Sequence, residues 1–465
     1  MRERGGNALP FVIEANAADT GTDQPGFGNP ARAGVRARPT GPGKVSAYCL
    51  RVPCEGGELW YHNLTGELLA LNDDELRAVE VGNGPAGELA RRWFLVPERY
   101  DERKLANQFR TVGGLLKQRD AGINRYVIFT TTDCNARCYY CYELGRRRIS
   151  MTDAVAHDVA SYIERRCLGQ PVKIQWFGGE PLLNSSVIDV IAGDLAAAGI
   201  EFSSIMVSNA YLFNEMLVER AVRQWHLRRI QVTLDGTEAV YNRSKAYLHH
   251  EGSPFQRVMT NIGLLLEAGV DVTIRLNMDS GNADDLDILA GELIEWFGNY
   301  ENVSIYTVLL RDFGYTIREF ESWEAALVRY RVLQRRLIDA GVGSVEYPQR
   351  EVRVNQCMAD NDAQVTVLPD GRLGKCEHES EENLVGSIYE ESFDQDMIDS
   401  WKEVVRVPEC DGCLQYPTCI RLKKCAWHAD GCTERNRAEM RINLTQKVLN
   451  EYARYKESRA KEGLA

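Results

Sequence analysis

A chain of 465 residues with a formal net charge of −12 is ill suited to the phosphate backbone of nucleic acid, and its length allows two or three domains with substantial cores. No stretch approaches the roughly 20 apolar residues of a membrane span, and the start, Met-Arg-Glu-Arg-Gly-Gly-Asn, has no continuous apolar signal core. Thirteen cysteines without a secretion signal point to metal or redox use rather than disulfides, so a cytoplasmic protein with no membrane or nucleic-acid partner is expected.

Residues 1–44 are rich in Gly, Pro, Ala and Arg and lack a periodic apolar pattern, the composition of a flexible segment. Residues 45–120 read as a small α+β module. Ala47–Val52, Glu58–His62 and Glu67–Leu71 have strand patterns, with Asn63-Leu-Thr-Gly66 as a turn. Asn72 then caps a helix whose first turn holds Asp73, Asp74 and Glu75. A second helical pattern spans Pro85 to Trp93. Cys49 and Cys54 read here as small buried hydrophobes.

From residue 121 to 345, strands and helices alternate. Strand patterns occur at Tyr126–Thr132, Val172–Phe177, Glu201–Ser208, Arg229–Leu234, Val270–Asn277 and Val303–Leu310. Helical patterns separate them, as at Val187–Ala198, Asn214–Gln224, Pro254–Ala268 and Asp284–Trp296. This alternation predicts a parallel sheet with crossover helices, closed in part as a (β/α)6 barrel with its site at the C-terminal strand ends.

The first strand runs into Cys134-Asn-Ala-Arg-Cys138-Tyr-Tyr-Cys141. Three thiolates at this spacing converge on one small cluster. A 4Fe–4S cube has four irons, so three cysteines leave one iron open for chemistry. Zinc is the plainer occupant, but it usually takes four protein ligands and no fourth lies nearby. Trp176-Phe-Gly-Gly-Glu-Pro181 ends the second strand.

Residues 346–435 hold seven further cysteines within 76 residues: Cys357, Cys376, Cys410, Cys413, Cys419, Cys425 and Cys432. Cys410-Asp-Gly-Cys413 presents two thiolates to one metal and its neighbours supply more, which fits iron–sulfur clusters or a zinc ribbon. Residues 436–465 form a charged helical pattern with interspersed apolar residues.

The cysteine loop and the Gly178-Gly179-Glu180-Pro181 motif together resemble the radical S-adenosylmethionine (SAM) enzymes. The resemblance implies SAM chelated to the open iron and cleaved to a 5′-deoxyadenosyl radical. It implies that Gly178, Gly179 and Glu180 meet SAM, with Glu180 on its ammonium. Ser208, Asn209, Asp235, Arg275 and Asn277 at the later strand ends become SAM contacts, Arg275 facing the carboxylate and Tyr140 stacking near adenine. For these residues a purely structural role stays open.

Gly371-x4-Cys376 and Cys410-x2-Cys413-x5-Cys419 resemble the SPASM extension of radical SAM peptide maturases, which carries two auxiliary clusters. Five residues separate Cys419 from Cys425 where the family has three, and six separate Cys425 from Cys432 where it has more. The implied assignment gives Cys410, Cys413, Cys419 and Cys432 to an outer cluster and Cys357, Cys376 and Cys425 to an inner one. Three 4Fe–4S clusters need twelve ligands; ten cysteines and SAM leave one position for a substrate thiolate, Cys49, Cys54, water or a carboxylate. Glu377 follows Cys376 and is either a general base or a solvated carboxylate in Glu377-His-Glu-Ser-Glu-Glu382.

The expected function is a cross-linking maturase of a ribosomal precursor peptide, forming a thioether or a carbon–carbon bond and served by an external donor such as flavodoxin or ferredoxin. Residues 45–120 resemble, in pattern only, the peptide-recognition modules fused to such enzymes. The alternatives are an anaerobic sulfatase-maturing enzyme and a non-enzymatic iron–sulfur electron carrier.

Overall fold

The computed structural model describes residues 11–12, 43–80, 86–117, 122–310, 317–349, 357–378, 381–419, 421–426 and 431–461. Most of the 1–44 segment therefore lies outside the described residues. The chain forms two compact units. The first comprises Met1–Arg119, Val345–Cys357 and Glu403–Ala465, and the second Asp120–Ser344 and Met358–Lys402.

The second unit is built on a nine-stranded sheet. Its strands in chain order are β1 (Arg125–Thr131), β2 (Val172–Gly178), β3 (Phe202–Val207), β4 (Leu227–Leu234), β5 (Asp271–Met278), β6 (Val303–Leu309), β7 (Gln364–Val367), β8 (Arg372–Gly374) and β9 (Gly386–Ser387). Their spatial order is β6-β5-β4-β3-β2-β1-β7-β8-β9. β1 to β7 run parallel, while β8 and β9 are antiparallel additions. The sheet thus extends past the six strands expected from sequence. β7 is four residues long, too short to give a clear periodic signal.

The six strands legible in the sequence lie side by side in chain order, as crossover connections of one hand require. The helices follow from their caps and apolar faces. Helix α1 (Asp153–Cys167) starts at Thr152, whose hydroxyl accepts from the Val155 amide. Helix α2 is Ser185–Ala197. Asn214 caps α3 (Glu215–Arg223) through the Leu217 amide. Helix α4 (Glu238–Lys245) was not expected; its polar sequence carries little apolar periodicity. Ser253 and Pro254 open α5 (Pro254–Glu267), which buries Phe255, Val258, Ile262, Leu265 and Leu266. Helices α6 (Ala283–Phe297), α7 (Trp323–Asp339) and α8 (Gln395–Trp401) follow.

Side chains alternate across the strands. Ile174, Trp176, Ile230, Val232, Ile274, Leu276 and Ile305 are fully buried. The alternate positions Gln175, Gln231, Thr233, Arg275 and Tyr306 are polar and half-buried. A parallel sheet with helices on both faces is normally apolar throughout.

In the first unit, Cys49–Cys54, Gly57–His62 and Glu67–Asn72 form an antiparallel meander, with Phe11–Val12 paired on its far edge. Leu50, Val52, Leu59, Tyr61 and Leu68 pack with Leu444 and Val448 of the C-terminal helix Glu434–Lys461. Trp60, Leu69 and Leu71 pack with Leu89, Ala90 and Phe94. Asn72 caps the helix Asp73–Glu80 reciprocally with Glu75, each side chain accepting the other's amide at 2.9 Å. The helix Glu102–Lys117, also not foreseen, opens on a buried polar knot. The Thr65 amide donates to His62 Nδ1, so the His62 proton sits on Nε2, 2.9 Å from Ser46 Oγ. Ser46 in turn donates to Glu102.

Burial holds the His62 pKa down at about 3, from an ordinary 6.5. A depressed histidine keeps the native state fully stable above pH 6.5 and withdraws stability as pH falls toward 3, by about 1.4 kcal/mol per pH unit. The Tm of the protein, followed by circular dichroism, should therefore fall between pH 7.5 and pH 5. In His62→Gln that fall should shrink; an identical pH dependence in the variant removes this account.

Candidate functional site

β1 ends at Thr131 and delivers the chain into the three-cysteine loop. Asp133 turns the chain there by accepting the Cys134 amide at 2.8 Å. Cys134 Sγ accepts the Ala136 amide at 3.4 Å, and the Cys141 amide closes a turn on the Cys138 carbonyl at 3.1 Å. The loop is also fastened from outside. The Arg137 amide donates to the Lys245 carbonyl and the Leu248 amide to the Asn135 carbonyl, so the chain leaving α4 grips it twice. Cys134, Cys138 and Cys141 are partly buried and close enough to sense one another's charge. Burial pushes all three thiols up, Cys141 to about 11. Thiols so placed ionise only when a positive centre takes them as ligands.

β2 ends in Gly178 and Gly179, and the structure gives these glycines a specific reason. A Cβ on Gly178 would stand 2.1 Å from the Thr131 carbonyl oxygen, and its φ is +129°. A Cβ on Gly179 would stand 2.2 Å from the Asp133 carbonyl oxygen. The bare backbone instead bonds across, Gly179 N–H to Thr131 O at 3.0 Å and Glu180 N–H to Asp133 O at 2.8 Å. The two glycines let the second strand end press against the root of the cysteine loop.

Glu180 is thereby fixed and fully buried. Its carboxylate accepts the Ser208 hydroxyl at 2.8 Å, the Asn209 amide at 2.8 Å and the Leu182 amide at 3.2 Å. Burial nevertheless lifts its pKa to about 7, against those donors and the distant Lys245. A buried carboxylate in this state gains from a cationic ligand. Asn209 spans two elements, donating its side chain to Asn135 Oδ1 at 2.7 Å and lying 3.9 Å from Cys134 Sγ.

On the Cys138 side, Asp235 and Lys245 form a buried ion pair at 3.2 Å. The Tyr140 hydroxyl donates to Asp235 at 2.7 Å and takes a bond from Lys245 Nζ at 2.7 Å. Asn282 ties the Asp235 carbonyl to that of Asn277. Arg275 donates to Asn277 Oδ1 at 2.9 Å. The structure thus gathers the expected residues into two groups. Glu180, Ser208 and Asn209 stand with Cys134; Tyr140 and Asp235 stand with Cys138, with Asn277 alongside. Lys245, Asn135 and Asn282 were missed in the sequence. A lysine on a polar helix carries no sign that it is buried against an aspartate.

Glu377 belongs to the same unit. It is partly buried, and Gln175 Nε2 donates to its carboxylate at 3.3 Å. Tyr142, next to Cys141, donates to the Glu377 carbonyl at 3.4 Å and stacks on His378 with centroids 4.1 Å apart. Burial raises the Glu377 pKa, while Gln175 and Arg275 pull it back. Glu143 was not foreseen. Burial lifts it to about 7, Arg146 opposes this and the field of Glu377 adds to it.

Residues 128–290 match the model of the Radical SAM superfamily. The chain carries a radical SAM domain. A stretch of 176 residues, 37% of this chain, is 30% identical to GTP 3',8-cyclase of Listeria monocytogenes and covers 50% of it. The chain therefore spans about half the length of the curated relatives it matches. The AdoMet-bound structure of the sulfatase maturase anSMEcpe aligns with a TM-score of 0.53 at 14% identity, covering 70% of this chain and 96% of that one. Streptococcus suis SuiB bound to its precursor peptide SuiA gives a TM-score of 0.48 at 12% identity, over 81% of this chain and 94% of that one. The radical SAM domain implies a 4Fe–4S cluster and SAM, and the superfamily consists of enzymes.

Beyond the radical SAM domain, Cys410, Cys413, Cys419 and Cys432 line one pocket of the first unit, with Tyr416, Arg421 and Arg437. A chain of tight turns brings them there, each amide of Cys413, Tyr416 and Cys419 donating to the carbonyl three residues back. Burial raises the Cys413 thiol, and Cys419, Cys410 and Cys432 add to it. Cys425 does not line that pocket. Cys357 and Cys425 belong to the first unit and Cys376 to the second. Among the described residues no three His, Cys, Asp or Glu side chains surround one point as ligands of a single ion do. No helix among them is long and apolar enough to cross a membrane.

Gly179→Ala tests the close approach directly. The added methyl should destabilise the protein by ~1–3 kcal/mol, the range for overpacking, and lower iron per chain after anaerobic reconstitution. Gly193→Ala, where a Cβ meets nothing within 4 Å, should leave iron content unchanged. Equal iron content in both variants contradicts the packing role.

Proposed function

We propose that this chain is a peptide maturase with three 4Fe–4S clusters, which oxidises a ribosomal precursor peptide and installs a cross-link. The observation that carries this reading is Glu377 beside Gln175, joined through Tyr142 to the three-thiol loop. A carboxylate at that place gives a hydrogen-abstracting site a proton acceptor. The anSMEcpe fold, solved also with AdoMet and a Cp18Cys peptide, supports a peptide as the class of substrate.

In this reading Cys134, Cys138 and Cys141 hold the SAM-cleaving cluster. Cys410, Cys413, Cys419 and Cys432 hold an outer cluster. Glu180 binds the SAM ammonium and Arg275 its carboxylate, with Tyr140, Gly178, Gly179, Ser208, Asn209, Asp235 and Asn277 completing the wall. Ser208 and Asn209 also orient the Glu180 carboxylate through the bonds described above. SAM and the clusters, when bound, would supply the capacity for hydrogen-atom abstraction and for taking up one electron. Glu377 takes the remaining proton. A substrate C–H and S–H would thereby be exchanged for a C–S bond, or two C–H bonds for a C–C bond, with one hydrogen atom, one proton and one electron leaving in either case. The protein's own contribution is orientation and exclusion of water. Residues 45–120 are assigned to peptide recognition and an external flavodoxin or ferredoxin to electron supply.

A second reading is favoured by the same carboxylate. Removal of a hydrogen atom, a proton and an electron from one cysteine gives a thioaldehyde, which water converts to formylglycine with loss of hydrogen sulfide. That is the sulfatase-maturing outcome, and it needs no second side chain.

Replacing Cys134, Cys138 and Cys141 together with Ala should abolish 5′-deoxyadenosine formation and remove about four irons per chain, while the remaining clusters persist. Retained SAM cleavage in that variant overturns the assignment. Glu377→Gln should slow conversion of a cysteine-containing precursor peptide by at least about 100-fold, the lower range for loss of a general base. 5′-Deoxyadenosine formation should continue, and mass spectrometry of the peptide separates a cross-link from formylglycine. Unchanged turnover rules out the base role.

A further inference from the structure

Arg421 is only 7% exposed, and no carboxylate pairs with it among the described residues. Its Nε is buried without an acceptor, and the guanidinium makes one long bond, 3.3 Å, to the Gly431 carbonyl. Its backbone is held independently of the charge, because the Arg421 carbonyl accepts the Val405 amide at 2.7 Å. A guanidinium stays charged at any ordinary pH, so burial without a counter-charge among the described residues leaves a large unmet demand. The pocket it lines is the one lined by Cys410, Cys413, Cys419 and Cys432.

Other cations stand around the same place. Arg437 reaches within 3.9 Å of Cys432 Sγ. Arg103, Arg110 and Arg406 lie over the ring of Tyr416, at 5.6, 5.9 and 5.0 Å from its centroid. Arg110 also clamps the thiol-bearing turn by donating to the Tyr416 and Cys419 carbonyls at 3.1 and 2.8 Å. Against these five arginines stand, among the described residues, Glu409, which lines the pocket, and Asp411, which is paired with Arg103.

We propose that Arg421 is the buried counterion of a four-thiolate iron–sulfur cluster at Cys410, Cys413, Cys419 and Cys432, and that it raises the reduction potential of that cluster. The inference rests on the outer-cluster assignment made above. Four thiolates on a 4Fe–4S core give an anion, and one electron from a low-potential reductant makes it more negative. A fixed cation in a poorly solvated pocket favours the more negative state. Arg421 supplies what the cluster needs electrically, and the cluster supplies the acceptor that Nε lacks. Arg421 is a positioning and tuning residue; it need not touch substrate.

The test is a potentiometric titration followed by electron paramagnetic resonance on the full chain. Cys134, Cys138 and Cys141 are first replaced by Ala, so that only the auxiliary clusters report. Arg421→Gln should shift one midpoint, leaving the other in place, and move that cluster's equilibrium at least tenfold toward the oxidised form. For one electron, tenfold is about 59 mV. Arg421→Lys, which keeps the charge, should stay within a few-fold of the parent. If Arg421→Gln fails to hold its cluster, Arg421→Lys must hold it at the parental potential. An unshifted midpoint in Arg421→Gln, an equal shift in Arg421→Lys, loss of the cluster in both, or zinc in place of iron at these cysteines overturns the proposal. SAM cleavage by Arg421→Gln in the otherwise unaltered chain is read separately, so failure here is distinguishable from failure of the proposed function.

Discussion

The site depends on two backbones approaching more closely than side chains permit. Gly178 and Gly179 lay the end of β2 against Thr131 and Asp133, where any Cβ would overlap a carbonyl oxygen. That contact places Glu180 beside the root of the cysteine loop. Ser208 and Asn209 from the end of β3 then close on its carboxylate, and Asn209 reaches on to Asn135. Three consecutive strand ends are thereby joined through one carboxylate. A helix–loop scaffold would place these groups less rigidly than strand ends fixed by a continuous ladder.

Charge is handled differently in the two units. Asp235 and Lys245 neutralise each other inside the second unit, with Tyr140 sharing both partners. Breaking such a pair leaves an uncompensated charge and costs about 3–5 kcal/mol. The pair is self-sufficient and serves to brace the loop, since Lys245 also offers its carbonyl to Arg137. Arg421 in the first unit is not self-sufficient. Among the described residues no carboxylate balances it, and the four thiols lining the same pocket could supply an anion once ionised.

The first unit also joins distant parts of the chain. The C-terminal helix Glu434–Lys461 supplies Leu444 and Val448 to the core of the 49–72 meander. The helix Glu102–Lys117 supplies Asn107 and Arg110 to the Tyr416 turn between two of the cysteines. The small N-terminal module and the cysteine-rich region therefore share one set of supports. Substitutions in either should be felt by the other, because each supplies polar partners that the other's backbone needs.

Local pattern by itself determined the alternating elements from 126 to 310, whose apolar periods and caps are short-range properties. It also determined the three-cysteine loop after the first strand, Gly178-Gly179-Glu180-Pro181 after the second, and the second cysteine group near the C-terminus. Two weakly periodic elements escaped it, β7 with four residues and α4 with a polar sequence; the helix Glu102–Lys117 was missed although Leu105, Phe109 and Val112 recur at helical spacing. Partner choice escaped it altogether. Gln175 meets Glu377 across 202 residues, Lys245 meets Tyr140 across 105, and Arg110 meets Cys419 across 309. Periodicity reports which face of an element is buried, but not what it is buried against. Only the tertiary structure decided that Glu180 would be satisfied by three donors while Arg421 was left one acceptor short, because hydrogen-bond and charge balance in a buried site is set by groups that sequence distance does not connect.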